Sequence, residues 1–390
     1  MQTSAQAPER VALVHDFLLD LRGAERVFAQ MCDMWPQADV FTAVYDEEAT
    51  ERRFAGRDVK TSFLQRLRPT ARTFRPLLPL YPYAVESFDM RGYDLVVSSS
   101  SAWAHGVLVD ENAVHVCYCY NPFRYAWNER EATLAGRRAL SRAALRYVFN
   151  RWRQWDWIAA QRVDRYVAIS ELTRRRIRRY YSREATVLHP PVDTSRFSPA
   201  DSTDDYYLVV SELMFHKRLE VAIEAFNRLR RPLVIVGDGP ELRRLRRLAG
   251  PTIRFTGRVS DDDVARLMAR CQALVVTATE EFGIVAVEAQ AAGRPVIALA
   301  EGGTRETVVE GRTGAFYAAP DPAALAAVVA GFDVSAVDPA ACVAQAARFN
   351  PARFREGLAR IVAQAREEPR PLRRSARRPR LGPSRLLTQA

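Results

Sequence analysis

Short apolar segments alternate with amphipathic segments along most of this chain. In the first half, the apolar segments predict β-strands at 11–15, 94–97, 115–117, 165–169 and 185–188. The segments between them carry apolar residues at helical spacing and predict helices at 24–34, 131–162 and 171–181. Apolar strands that alternate with helices favour parallel sheets covered by helices on both faces.

The same alternation restarts after a polar segment. Residues 190–205 are rich in proline, serine and aspartate and predict a linker. Beyond the linker, strands are predicted at 207–210, 233–236, 253–256, 273–276 and 296–299. Helices are predicted between these strands, at 219–230, 241–248, 261–270 and 286–292. The expected architecture is two Rossmann-like domains in series with a cleft between them.

The length of 390 residues agrees with two domains, because it is too great for one ordinary core. We place an N-terminal α/β domain at 1–195 and a second α/β domain at 205–345. A C-terminal helix is expected at 346–366. The basic segment 367–390 is rich in proline and arginine, and we expect it to be disordered.

Composition narrows the class of protein. The chain is 48% hydrophobic and 26% charged, which is typical of globular proteins. It has no run of eighteen apolar residues that would predict a transmembrane helix, and its first residues lack the features of a signal peptide. Five cysteines without a CxxC pair argue against a disulfide framework or a zinc site. A cytoplasmic protein is therefore expected.

The positive charge is unevenly distributed. The formal net charge is +11, and arginines cluster at 137–183 and 366–385. In the first cluster they are interleaved with aromatic residues such as Tyr147, Trp152 and Trp157. Basic and aromatic surface suits an anionic membrane face or a nucleic acid. The alternative for 137–183 is an ordinary amphipathic helix with its aromatic residues in the core.

One segment in the second half carries the sharpest chemical signal. Glu280 and Glu288 stand eight positions apart, the first in a predicted loop and the second in the helix that follows. The backbone N–H groups of Phe282, Gly283 and Ile284 then lie at the helix start, where they can hold a phosphate. The alternative is a buried small-residue helix whose two glutamates are merely solvated.

The other loops that follow strands in the second half are rich in glycine and charge, at 211–218, 237–241, 257–261 and 301–304. Ligands of open α/β sheets bind beyond the carboxyl ends of the strands, so these loops are expected to converge on one rim. The acidic run at 261–263 is expected to cap a helix. No metal site is predicted.

The pattern of Glu280, Phe282, Gly283 and Glu288 resembles the donor-binding signature of the retaining, GT-B-fold glycosyltransferases of family 4. The resemblance spans most of residues 11–345. It implies an α/β GT-B fold, in which two Rossmann-like domains have parallel sheets facing a central cleft. It also implies a hexosyltransferase that uses no metal or other cofactor, since the nucleotide-sugar is a substrate.

The same resemblance implies roles for individual residues. Glu288 would accept the ribose hydroxyls, and Glu280 would grip the donor sugar near the reacting carbon. Lys217, with Arg218 beside it, would bind the donor diphosphate. Val259 lies in a loop that would contact the nucleotide base through main-chain groups. Glu280 and Lys217 are thus the predicted catalytic residues.

Three positions in other loops bear on the same site. Gly23 lies in a segment that resembles a Gly-Gly-x-Glu-like loop beneath the donor phosphates. Tyr120 stands where the family has the histidine of a His-x-Pro segment, and Asn121 follows it; both are expected on the acceptor side. Glu212 departs from the family pattern, because an arginine often stands five or six residues before the position of Lys217.

The implied function is transfer of a hexose, first of all mannose, from GDP-mannose or a UDP-sugar. The acceptor would be a glycan or a polyprenyl-diphosphate-linked glycan of cell-surface polysaccharide or lipopolysaccharide assembly, at the inner leaflet of the membrane. Two alternatives are a nucleotide-sugar epimerase of the same architecture and a basic nucleic-acid-binding protein. The ordered Lys217, Glu280 and Glu288 favour the transferase, and no nucleic-acid partner is expected.

Overall fold

The computed structural model describes residues 9–71, 73–135 and 138–368. Most of the tail predicted at 367–390 therefore lies outside the described residues. The described chain folds around two parallel β-sheets with helices packed on their faces. We call the unit around the first sheet the first domain and the unit around the second sheet the second domain.

The first sheet has the strand order β3-β2-β1-β4-β5-β6-β7. Its strands are β1 (Val11–His15), β2 (Asp39–Thr42), β3 (Val59–Thr61), β4 (Leu95–Ser100), β5 (Val114–Cys119), β6 (Arg165–Ala168) and β7 (Ala185–Val187). The central strands β1, β4 and β5 are buried along their whole length. Helices cover both of their faces, which explains why their sequences are apolar without strict alternation.

The second sheet has the strand order β10-β9-β8-β11-β12-β13. Its strands are β8 (Tyr207–Val210), β9 (Leu233–Val236), β10 (Ile253–Gly257), β11 (Leu274–Val276), β12 (Val296–Leu299) and β13 (Gly314–Tyr317). In the first sheet β1 lies between β2 and β4, and in the second sheet β8 lies between β9 and β11. The strand order therefore reverses beside β1 and beside β8. The loops that follow the strands on either side of each reversal leave a crevice at the carboxyl edge of the sheet.

The helices of the first domain are α1 (Gly23–Met34), α2 (Tyr81–Glu86), α3 (Arg130–Leu134), α4 (Ala139–Gln161) and α5 (Glu171–Tyr181). Those that follow are α6 (Leu219–Leu229), α7 (Leu242–Leu248), α8 (Asp261–Arg270), α9 (Ile284–Ala291), α10 (Thr304–Thr307), α11 (Pro322–Gly331), α12 (Pro339–Ala346) and α13 (Pro351–Glu367). Short 3-10 helices lie at Phe63–Leu67, Arg75–Leu80, Ala104–Gly106, Thr194–Arg196, Phe215–Lys217, Val334–Ala336 and Ala347–Phe349.

Local caps fix several helix starts where the sequence pattern placed them. The Ser170 hydroxyl accepts a hydrogen bond from the Thr173 amide at the start of α5. Ser260 caps α8 in the same way, so the acidic run at 261–263 forms the first turn and is not itself the cap. Both arrangements satisfy amides that have no partner within the helix.

The helical region predicted at 131–162 is divided into two helices. Helix α3 ends at Leu134, where Ala135 adopts an extended backbone conformation. Arg138 is also extended and precedes the start of α4. Apolar spacing continued across this break, so periodicity alone did not detect it.

The final helix returns to the first domain. The Phe354 ring of α13 packs edge-on against Tyr118 of β5, with ring centroids 5.4 Å apart. Ion pairs join Arg366 to Glu9 and Arg165 to Glu368. The chain thus crosses between the domains at the linker and again before α13.

Two further sequence predictions concern the chain as a whole. The five cysteines are free and buried. The sequence likewise argued against a disulfide framework. None of the described helices combines the length and apolar character that a membrane span requires.

Candidate functional site

A cavity of about 450 Å³ lies between the two sheets. The first domain contributes loops that follow β1, β4 and β5, and the second domain contributes loops that follow β8 and β11. This is the carboxyl edge of both sheets, where ligands of α/β proteins bind. The residues predicted for the site that line the cavity are Gly23, Tyr120, Asn121, Lys217, Glu280, Phe282, Gly283 and Ile284.

Lys217 and Glu280 form an ion pair in the wall of this cavity. The Lys217 ammonium lies 2.7 Å from Oε1 and 2.9 Å from Oε2 of Glu280, although 63 positions separate the two residues in sequence. Both side chains are 22% exposed. The Thr277 hydroxyl donates a 2.6 Å hydrogen bond to the Lys217 carbonyl, which fixes the backbone of Lys217.

The loop that carries Glu280 is held by the loop after β12. The amide of Gly303 donates a 2.8 Å hydrogen bond to the Glu280 carbonyl. A Cβ atom at Gly303 would lie only 2.3 Å from the Cα atom of Phe282, so this approach requires glycine. Glu280 therefore lies in a loop, as the sequence predicted, and packing between two backbones determines its position.

Gly283 connects this loop to α9. Its φ of 92° lies in the left-handed region, which disfavours any residue with a side chain. The turn aims the start of α9 at the cavity, where Phe282, Gly283 and Ile284 contribute to the wall. The first amides of a helix have no partners within the helix, so this end suits an anion.

Sequence reasoning missed a second charged group in the same wall. Glu281 lies between Arg124 and Arg176, both from the first domain, at 4.0 Å and 3.2 Å. The same Arg176 nitrogen donates to Asn121 Oδ1 at 2.7 Å. Burial tends to raise the pKa of Glu281, but attraction to the two arginines and Lys217 outweighs burial and lowers it. The two ion pairs of Glu281 therefore hold the loop that carries Glu280 and Glu281 against the first domain.

Glu288 faces a different part of the cleft from the 450 Å³ cavity. Burial raises the pKa of its carboxyl to about 7, against the attraction of Arg26 and Arg196. Arg26 comes from α1 of the first domain and donates a 2.6 Å hydrogen bond to Asp261. Arg196 also contacts Asp261, at 2.7 Å. Glu288 thus lies beside the interface of α1 and α8, with the loop of Val259 leading into α8.

Two predicted donor residues, Arg218 and Val259, do not line the cavity. Arg218 adopts a left-handed conformation with φ of 51° and precedes α6.

The Tyr120 hydroxyl donates to the Ala24 carbonyl at 3.0 Å and lies 2.9 Å from Ser99 Oγ. Burial raises the pKa of Tyr120 well above its usual value, so its hydroxyl is protonated at neutral pH. Its hydrogen bond to Ala24 holds the loop after β1.

Two family models match adjacent parts of the chain. The model for Glycosyltransferase Family 4 matches residues 21–196, and the model for Glycosyl transferases group 1 matches residues 193–332. These matches meet at the linker between the two sheets. Together they extend over most of the described residues.

Curated relatives with similar sequences are glycosyltransferases. D-inositol 3-phosphate glycosyltransferase of Streptomyces avermitilis is 32% identical over 212 residues, which cover 45% of this chain and 45% of that protein. A GDP-mannose-dependent alpha-(1-6)-phosphatidylinositol monomannoside mannosyltransferase of Mycobacterium tuberculosis is 34% identical over 178 residues, or 37% of this chain and 46% of that protein. Each match thus spans less than half of the relative's length.

Solved structures share the whole fold at low sequence identity. HepE of Anabaena in complex with UDP superposes with a TM-score of 0.67 at 17% identity, over 91% of this chain and 100% of that chain. Sucrose-phosphate synthase of Thermosynechococcus elongatus gives a TM-score of 0.69 at 18% identity, over 91% and 99%. The fold is GT-B, and the two adjacent family matches identify the chain as a member of the family 4 glycosyltransferases.

Proposed function

We propose that this protein transfers a hexose from a nucleotide-diphospho-sugar to a glycan or polyprenyl-diphosphate-linked acceptor, with retention of anomeric configuration. The observation that carries the proposal is the Lys217–Glu280 pair beside the first turn of α9, inside a cavity between two domains. This arrangement brings a cation, free helix amides and a carboxylate to one place. A sugar diphosphate needs all three, for its phosphates and for its hydroxyl groups.

In this mechanism Glu280 accepts hydrogen bonds from hydroxyls of the donor sugar, and Lys217 binds the diphosphate. The bond between the anomeric carbon and the diphosphate oxygen breaks, and the acceptor oxygen bonds to the same face of that carbon. The proton of the acceptor hydroxyl passes to the departing phosphate oxygen. Lys217 and the amides near Gly283 stabilise the charge that grows on the leaving group.

GDP-mannose is our first choice of donor, and a UDP-sugar is the second. The first is supported by the M. tuberculosis mannosyltransferase, whose name specifies GDP-mannose. The second is supported by the structures of HepE, which contain UDP or UDP-glucose. A role in surface polysaccharide assembly is supported by the similar fold of WaaG, a glycosyltransferase involved in lipopolysaccharide biosynthesis (TM-score 0.64, 19% identity, 90% of this chain and 99% of that chain).

The proposal is tested by thermal-shift measurements with nucleotides, followed by transfer assays. GDP or UDP is expected to raise the melting temperature, because a ligand that binds only the folded state stabilises it. Purified protein is then incubated with a panel of labelled nucleotide-sugars and a membrane lipid extract. Stabilisation by DNA or RNA alone, without any nucleotide effect, would contradict the proposal.

Transfer is expected to continue at an unchanged rate in excess EDTA. Lys217 and the amides at the start of α9 supply the positive charge that a divalent cation supplies in other transferases. The measurement is the transfer rate with chelator, and again after Mg²⁺ or Mn²⁺ is restored. Complete loss and full recovery would contradict metal independence and direct attention to Asp261, whose present partners are Arg26 and Arg196.

We also propose that one face of the first domain binds an anionic membrane from the cytoplasmic side. Two segments of the sequence lack acidic residues altogether: 59–85, with five cations, and 132–155, with six. Large hydrophobic side chains are exposed in and beside them. Of twelve such side chains among the described residues, nine lie before the linker: Phe63, Leu67, Leu80, Tyr83, Leu108, Leu140, Tyr147, Trp157 and Ile158.

Described residues from the two acid-free segments pack together on one face of the first sheet. Leu77 and Tyr81 from the first segment and Trp152 from the second belong to one hydrophobic cluster. Trp152 is therefore a core residue, as the ordinary-helix alternative required, whereas Tyr147 is 65% exposed. Cations next to exposed aromatic and aliphatic groups suit the interface of an anionic membrane.

A double variant, Leu140→Glu with Tyr147→Glu, is expected to reduce co-sedimentation with vesicles that contain anionic phospholipid. Each basic residue near such a surface contributes roughly 1 kcal/mol, and the new carboxylates oppose that attraction. Leu248→Glu, at an exposed position of the second domain, is the matched control. Equal sedimentation of the double variant and wild type, with nucleotide binding intact in both, would overturn the membrane face.

A further inference from the structure

Two side chains of opposite charge, one from each domain, contact each other beside the candidate donor site. Glu212 stands five residues before Lys217, where the resemblance to family 4 would place an arginine. Arg22 precedes Gly23, at the first glycine of the Gly-Gly-x-Glu-like loop. These two side chains form an ion pair across the cleft, between Arg22 Nη1 and Glu212 Oε1. Position 212 of the second-domain loop thus carries a carboxylate, and the facing loop of the first domain carries an arginine.

The local structure directs Arg22 toward the second domain. Its amide donates to the Glu25 carboxylate at 3.1 Å, which fixes the start of α1. Its Nε donates to Asp20 Oδ2 at 2.5 Å, and Asp20 lies 3.8 Å from Arg258. The charges of Arg258, Asp20, Arg22 and Glu212 alternate in sign across the cleft. The guanidinium is therefore held between two carboxylates, one from each domain.

This pair borders the proposed donor site. Gly23 and Glu212 line the same cavity as Lys217. A carboxylate at position 212 would repel a bound diphosphate if no cation neutralised it. The Arg22 and Glu212 side chains are 49% and 50% exposed, so a ligand in the cleft can reach the guanidinium. Arginine also matches the geometry of phosphate oxygens better than lysine does.

We propose that Arg22 is a donor-binding residue, which supplies from the first domain the second cation of the diphosphate site. Glu212 and Asp20 are positioning residues that hold its guanidinium. The inference rests on the proposed function, because it assumes a nucleotide-diphospho-sugar donor. On this assignment the diphosphate contacts Lys217 on the second domain and Arg22 on the first.

The test compares Arg22→Gly, Glu212→Arg and the double variant Arg22→Gly with Glu212→Arg. The measurement is the calorimetric affinity for GDP and UDP relative to the corresponding nucleosides. Arg22→Gly is expected to lower the diphosphate affinity about tenfold or more, since a hydrogen bond to a charged group is lost and Glu212 is left uncompensated. The double variant moves the arginine from the first-domain loop to the second-domain loop, and its affinity is expected to return to within about threefold of wild type.

Arg91→Gly is the matched control. Arg91 also binds an aspartate two residues earlier, Asp89, but it is 83% exposed and lies in a loop outside the cavity wall. Arg22→Gln serves as a second variant, because it keeps the backbone preference of a residue with a side chain. Circular dichroism checks that each variant is folded.

The outcomes separate this inference from the proposed function. If wild-type protein binds no nucleoside diphosphate and transfers no sugar, the proposed function itself fails. If wild type binds the diphosphates and both Arg22 variants bind them equally well, only the role of Arg22 is overturned. The inference also fails if the double variant binds no better than Arg22→Gly, because the two positions are then independent.

Discussion

Replacement of Lys217 by alanine is expected to lower turnover on the order of a hundredfold or more. Lys217 is the cation inside the cavity that lies closest to Glu280, and its charge would stabilise the departing diphosphate. Its loss also leaves the Glu280 carboxylate without its ammonium partner, which makes that side of the cavity repel an anion. The loss of turnover is expected to exceed any loss of stability, although the pair is largely buried and Glu280 loses its partner.

Lys60→Ala, assayed without membrane vesicles, is the matched control for this experiment. Lys60 and Lys217 are the only lysines of the chain. Lys60 also forms an ion pair, 3.0 Å from Asp39, but it lies on the outer strand β3 of the first sheet. The measurement is turnover at saturating donor, with the melting temperature of each variant. Near-normal turnover of Lys217→Ala would show that the lysine has no part in the reaction.

Replacement of Glu288 by alanine is expected to weaken nucleotide binding by about tenfold to a hundredfold. Loss of the hydrogen bonds that ribose hydroxyls donate to a carboxylate is expected to weaken the binding free energy by about 1.5–3 kcal/mol. The measurement is calorimetric affinity for GDP or UDP. Glu224→Ala, at an exposed position of α6, is the control. Wild-type affinity in Glu288→Ala would remove Glu288 from the ribose site.

The same carboxyl is expected to make nucleotide affinity depend on pH. Burial raises the pKa of Glu288 to about 7, so the free protein carries it partly protonated at neutral pH. Ribose hydroxyls donate to the ionised form and favour it, so binding releases a proton below pH 7. Affinity is therefore expected to rise between about pH 6 and pH 8 and then level off. The β-phosphate of the nucleotide also ionises at about pH 6, so Glu288→Ala is expected to reduce this rise without abolishing it. An equal rise in wild type and Glu288→Ala would contradict the assignment.

The sequence predicted the regular elements best where strands were apolar and helices were amphipathic and capped. The strands at 207–210, 233–236 and 296–299 and the helix at 171–181 have the predicted bounds. Strand β2, which reads Asp-Val-Phe-Thr, was missed because only two of its residues are apolar and they form no apolar run. Helix α11 was missed because its residues are apolar or small on every side and show no amphipathic spacing.

The donor signature was visible in sequence because its parts are close together. Glu280, Gly283 and Glu288 lie within nine consecutive residues, and their loop-to-helix order follows from local backbone preferences. Lys217 was found through the resemblance and the rule that ligands bind at the carboxyl ends of parallel strands. The structure brings Lys217, Glu280 and Gly283 into one cavity wall, but it directs Glu288 toward α1 and Arg26.

The sequence by itself determined the two α/β repeats, the linker between them and the donor signature, because each depends on hydrophobic period or on spacing within a short segment. Only the tertiary structure decided which charges meet across the cleft. Arg176 and Glu281 are 105 positions apart, and Arg22 and Glu212 come from loops of different domains. In a chain with 57 basic and 46 acidic residues, no local pattern distinguishes such pairs from solvated surface charges. Their partners follow from how the two sheets face each other, which is a property of the packed domains.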